Sequence, residues 1–128
     1  LRFLLDSPST PDLKPVPHTA FNVAVRGRAI DLTALPLAKD RALWTHRTDY
    51  SATQTLAAAA RGVGLELIRY ESVRAPGCAC LAVLTPDVLA EPRGGLDATR
   101  QPWVCTATRD HVMMMSEQDR ARRFEWGR

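Results

Sequence analysis

Residues 49–84, DYSATQTLAAAARGVGLELIRYESVRAPGCACLAVL, decide how this chain is to be read. Ser51 has the chemistry of a helix N-cap, and Gln54 three places on can return a hydrogen bond to the cap's own backbone, the reciprocal pattern of a capping box. Ala52, Leu56, Ala59, Ala60 and Val63 then recur at helical spacing, a narrow apolar stripe that lets a helix sit close on a sheet. The alanine run 57–60 has the highest helix propensity. Gly62 and Gly64 supply positive φ at little cost, so the helix is expected to stop there in a left-handed cap. Leu65–Tyr70 follows as a buried strand, because Leu65, Ile68 and Tyr70 favour extended backbone.

Behind that strand lies a polar corner, Tyr70 to Gly77. A tyrosine, a serine and two arginines, Arg69 and Arg74, gather beside a Pro-Gly turn. Polar groups at the end of a buried strand make a binding site when the strand fixes them and the loop leaves them reachable. Strand alternation puts Tyr70, Ser72 and Arg74 on one side, and Arg69, Glu71 and Val73 on the other. Composition alone favours a plainer reading, a surface turn with solvated arginines and a serine capping local backbone. Cys78–Leu84 is apolar at both parities, the pattern of a strand covered on both faces.

The ordered set Asp49, Tyr50, Gln54, Ala60, Arg61, Gly64, Ile68, Tyr70, Ser72, Arg74, Pro76 and Gly77 resembles the second half of the RES domain, a family named for an arginine, a glutamate and a serine. The likeness runs more loosely from Thr19 to Thr108. It implies an α+β fold of mixed sheets with few helices, similar to ADP-ribosyltransferases. It also implies an NAD-consuming enzyme, the toxin of a bacterial toxin–antitoxin pair, which cleaves the nicotinamide–ribose bond by hydrolysis or phosphorolysis or transfers ADP-ribose. On this likeness Ser72 is the catalytic serine and Tyr70, Arg74 and Arg69 bind substrate. NAD is the expected substrate, no metal is expected, and the implied partner is a helix-turn-helix antitoxin protein, with a homodimer left open. The family's arginine and glutamate, with a tyrosine, come before the helix, and nothing in this chain matches them. The expectation is a single domain over residues 1–128 that lacks its N-terminal part and degrades NAD weakly or not at all. A non-catalytic remnant that meets an antitoxin is the alternative. Glu71 stands where the family often has proline, and Cys78-Ala79-Cys80 where it more often has a polar residue; Glu71 is not assigned the missing glutamate's role.

The remaining sequence is read around that centre. Leu1, Leu4 and Leu5 share a face, as at the end of a helix begun earlier. Ser7–Pro17, with four prolines, forms neither a helix nor a central strand and is expected to cross the surface extended. Phe21, Val23 and Val25 alternate in a strand with one packed face, Gly27 makes a turn, and 29–32 is its return. Leu35–Arg47 is a loop or short helical turn anchored by Trp44. His46 and Asp49 lie close enough to suggest acid–base chemistry, although a loop histidine is more often an ordinary hydrogen-bonding group. Thr85-Pro86-Asp87 opens a single helical turn. Gln101–Thr108 and His111–Met115 read as strands, the Met113–Met115 run as core filling, Ser116–Arg122 as a turn, and Arg123–Trp126 as an edge strand.

Composition bounds the function. A chain of 128 residues, 45% hydrophobic and 24% charged, is an ordinary globular domain. No apolar run reaches the ~20 residues of a membrane span and no signal-peptide pattern opens the chain, so a cytoplasmic location is the expectation. Three cysteines fit a reducing compartment and core positions better than a disulfide framework or metal site. The net charge of +3 suits a phosphate-bearing ligand or an acidic partner. Direct nucleic-acid binding through the arginines of 120–128 is the weakest of the three function classes, because aromatic residues for base stacking are sparse.

Overall fold

The computed structural model describes residues 13–108 and 110–127. The helical turn expected at Leu1–Leu5 and the first part of the Ser7–Pro17 crossing lie outside the described residues. The chain divides into two compact units, one of Ala24–Ala90, called inner for its place along the sequence, and one made of the segments on either side of it in sequence, called outer.

The inner unit contains the deciding stretch. Strand β1, Leu13–Ala20, belongs to the outer unit; the inner unit opens with β2, Ala24–Val25, and β3, Ala29–Asp31. A 3₁₀ turn at Leu37–Asp40 leads into helix α1, Arg41–Trp44, and then comes α2, Ser51–Gly62. Strands β4, Leu67–Glu71, and β5, Ala79–Val83, follow, and β6, Leu89–Ala90, closes the unit. One sheet has the order β3-β4-β5, with β3 parallel to β4 and β5 antiparallel to it. The β3–α2–β4 passage is therefore a crossover between parallel strands, the connection such strands require. β2 and β6 form a separate antiparallel pair.

The helix begins and ends where its residues predict, by partly different means. Ser51 is the first helical residue instead of the cap, and no capping box forms, since the cap position, Tyr50, makes no side-chain capping bond. Asp49 takes over, its Oδ1 accepting the Ser51 N–H at 2.9 Å. At the other end Leu65 N–H donates to Ala60 O and Gly64 N–H to Arg61 O, the paired bonds of a Schellman stop, with Gly64 at φ 71°. Ala60 and Ile68 are buried with Leu32, and Leu56, Ala57, Tyr70, Ala82 and Leu84 pack on them. The expected stripe is thus rotated. Ala57 joins the packed face, whereas Ala59 is exposed and Val63, past the last helical turn, is 70% exposed.

Three other expectations are corrected. Phe21, Val23 and Val25 do not form one packed strand face; they are 55%, 41% and 39% exposed, and only Ala24–Val25 is paired. Gly27 does not turn a hairpin, since β2 pairs with β6 and β3 with β4. Its place is a close approach instead, because a Cβ there would meet Val88 Cγ1 at 2.6 Å and Glu66 Oε2 at 2.9 Å. β5 is not covered on both faces: as the edge of its sheet it leaves Leu81 and Val83 38% and 40% exposed while Cys80 and Ala82 turn inward.

The outer unit is a four-stranded antiparallel sheet, β1-β7-β8-β9, with β7 at Gln101–Ala107, β8 at His111–Ser116 and β9 at Arg123–Gly127. β1 takes in the C-terminal part of the proline-rich crossing as an edge strand, a sheet position that tolerates Pro15 and Pro17. Alternation along β7 buries Trp103, Cys105 and Ala107, and Val112 lies beside them with Met114 packed against the cluster. Ser116, buried, accepts the Asp119 N–H at 3.2 Å and so closes the turn into β9. Two helices among the described residues, one of them a single turn, beside three separate sheets make an α+β fold.

Candidate functional site

β4 stops at Glu71 because the chain then folds on itself. Ser72 N–H donates to Cys78 O at 2.8 Å, Cys78 N–H donates to Ala75 O at 3.0 Å, and Ser72 Oγ accepts the Ala75 N–H at 3.1 Å. The alternation expected through Arg74 therefore ends with the strand. The Ser72 hydroxyl has one local bond as acceptor and keeps its own O–H to donate.

Two cavities meet at this corner, with Val73 in the wall of both. The first, about 420 Å³, is mostly apolar and lies between α2 and β4–β5. Trp44, Tyr50, Leu56, Ile68 and Tyr70 line it, with Arg61 as its charged group. Tyr70 stands across from Cys80, and burial first, then that neighbour, pushes its phenol pKa up, so the hydroxyl stays protonated. The second, a cleft of about 290 Å³, has mixed polar and apolar walls and is lined by Arg41, Thr45, Arg47, Glu71, Ser72, Val73 and Pro76.

Of the residues singled out in the sequence, the structure brings Tyr70 and Ser72 to adjoining cavities. Arg69 is directed elsewhere, its Nη1 bonded to Asp31 Oδ2 at 2.8 Å and Thr33 Oγ1 at 2.6 Å. The Thr33 hydroxyl and backbone N–H, with Arg69 behind them, hold the Asp31 carboxyl below its usual range. Arg74 is half-buried on the corner and lines neither cavity. The cleft's cations are Arg41 and Arg47, which no periodicity marks. They arrive there because α1 folds back, pinned by Trp44 Nε1 donating to Leu37 O at 2.8 Å. The local clue was the cluster His46, Arg47 and Asp49 ahead of α2. His46 itself does structural work, its Nδ1 accepting the Asp49 N–H at 2.8 Å.

Glu71 is the one carboxylate in the cleft, and it is engaged. Arg41 Nε donates to its Oε2 and Arg41 Nη2 to its Oε1, both at 2.6 Å, and Gly77 N–H adds a third bond at 2.9 Å. Arg41 first, then the Gly77 N–H, hold its pKa down from 4.5 to about 2. A carboxylate matched in this way is ionised but has little field left for a cation forming elsewhere. Among the described residues no cluster of three metal-ligating side chains occurs. Of the cysteines only Cys105 is a core residue; Cys78 is exposed and Cys80 half-buried, because they sit on the corner and the edge strand.

The corner, with its serine at the end of a strand, a glycine-stopped helix before it and a Pro-Gly turn behind, lies inside the span that the RES domain family model matches, residues 1–105. The chain belongs to the RES domain family. A search of curated proteins found no match. Membership supports a toxin-like, NAD-related role for this RES domain. The matched span takes in the whole inner unit and both cavities, and ends within β7. No described helix of the RES domain is long and apolar enough to cross a membrane.

Proposed function

We propose that this RES domain binds NAD across the two cavities, with Ser72 as the residue that orients the scissile ribose. The observation that carries the reading is the place of Ser72 in a cleft whose walls hold two guanidinium groups, Arg41 and Arg47. A dinucleotide's pyrophosphate needs cationic, preferably forked donors, and Arg47 with the remaining N–H groups of Arg41 offers them. Ser72 and Thr45 offer hydroxyls for the ribose. The adjoining cavity offers aromatic walls, Trp44, Tyr50 and Tyr70, for a planar base. Arg74, at the same corner, remains a candidate second contact to the nucleotide, and Arg69 a more remote one.

In the reaction the C1′–N1 bond to nicotinamide breaks and its electron pair leaves with the ring, which departs neutral. Positive charge builds on the ribose, and the acceptor, whether water, phosphate or a protein nucleophile, supplies a lone pair and gives up a proton. Stabilising that charge takes a carboxylate. Glu71 is ion-paired with Arg41, so turnover is expected to be slow, and binding is the sharper test. A thermal shift with NAD that is lost in Ser72→Ala and Arg47→Ala supports the reading. No shift at millimolar NAD overturns it.

The bound state of Glu71 also favours a second reading, in which the RES domain serves as a protein module that meets a helix-turn-helix antitoxin or a second copy of itself. Co-purification with such a protein, together with no response to NAD, separates the two.

A further inference from the structure

We propose that the Arg41–Glu71 ion pair is a positioning clamp that holds the Ser72 corner in register with the cleft arginines. The proposal rests on reading the Ser72 cleft as the ligand site. Ordinary surface ion pairs contribute little, because two long side chains must be ordered in water. This one differs in three observable ways. It is bidentate, with both N···O distances at 2.6 Å. Its carboxylate side is only 16% exposed. The same carboxylate also accepts the Gly77 N–H, so a single side chain ties α1, the end of β4 and the Pro-Gly turn together.

The consequence falls on Ser72. It lies between the two points that Glu71 fixes, the strand end and Gly77, and its backbone and hydroxyl bonds close the small ring from Ser72 to Cys78. The clamp also leaves three of Arg41's five N–H donors unused by Glu71, so Arg41 belongs to the cleft wall while it is held in place. A lysine at 41 provides one point charge and no fork. Nothing else in the cleft spans both of its sides. Arg47 and Thr45 reach it from the α1 end only, and Ser72, Val73 and Pro76 from the corner only.

Hydrogen exchange on the intact chain tests the clamp, read at the Ser72, Ala75 and Cys78 amides and compared with Leu65 in the helix stop. Glu71→Ala and Arg41→Ala are each expected to speed exchange at the corner by about tenfold or more while Leu65 keeps its rate, and the double variant to be no worse than Glu71→Ala alone. Glu71→Gln, which keeps an acceptor for Gly77 N–H, recovers part of the protection. If the alanine variants speed exchange everywhere, Arg41→Lys and Glu71→Gln decide on the same ratio of corner to Leu65. Unchanged corner exchange in the variants overturns the clamp, whatever NAD does. Where the wild-type chain binds NAD, Glu71→Ala is expected to weaken it about tenfold through the misplaced corner, and unchanged affinity over a loosened corner overturns the positioning role. A corner that responds in a chain that does not bind NAD removes the NAD reading and leaves the clamp standing.

Discussion

At the residue scale, Glu71 and Gly64 show how one side chain, or the lack of one, sets local structure. The Glu71 pKa is depressed from 4.5 to about 2 by Arg41 and the Gly77 N–H. A depressed carboxyl stabilises the fold above its unfolded pKa, and the stabilisation is lost as pH falls through the folded value. The urea midpoint of the wild type should therefore exceed that of Glu71→Gln near neutral pH, with the gap closing as pH falls from about 4.5 to about 2. A gap independent of pH would show that the ion pair does not set this pKa. At Gly64, φ is 71° and a Cβ would meet Arg28 Nη2 at 2.5 Å. Gly64→Ala is expected to cost about 1–2 kcal/mol in equilibrium unfolding from backbone strain alone. Retained stability would mean that the helix ends otherwise.

At the element scale, α2 and β4 were the most legible parts of the sequence, and their differences from expectation have physical reasons. The helix limits followed from the glycine stop and the alanine run, since those are backbone preferences. The packed face did not follow. Val63 fits the periodic stripe, yet it lies past the last helical turn and is 70% exposed, whereas Ala57 packs against the buried cluster of Leu32, Ala60 and Ile68. Ile68→Ala, which empties a site only 5% exposed, is expected to cost about 2–5 kcal/mol in urea unfolding. Val63→Ala should stay within about 0.5 kcal/mol of wild type. Equal losses at the two positions would contradict the packing described. In the proline-rich crossing the prolines excluded a helix and a sheet's centre, and its described part is extended as expected; the edge place beside β7 was not legible because it depends on a partner about ninety residues away. The site shows the same division. Ser72 and Tyr70 stand out because they share a short strand end, while Arg41 and Arg47 become neighbours of Ser72 only through the fold-back of α1.

At the scale of the whole molecule, α+β architecture and RES membership were legible as an ordered set of residues, none specific alone, and they rest on the three sheets with few helices and on the family model's match to residues 1–105. Net charge of +3 said little about location, because many of the arginines are matched by acids close by, as in Arg100 with Asp97 and Arg122 with Asp119. The Arg41–Arg47 cleft brings two guanidinium groups together with the Ser72 and Thr45 hydroxyls. Ligand binding there should weaken as salt rises, since partly exposed guanidinium–phosphate contacts are screened. Salt-independent affinity would place the ligand in the apolar cavity instead. The most direct test is calorimetric titration of NAD into the chain, its Ser72→Ala variant and its Arg47→Ala variant. The account predicts saturable binding by the wild type that either substitution weakens by about tenfold or more; no binding heat at millimolar NAD, or equal affinity in all three proteins, would contradict it.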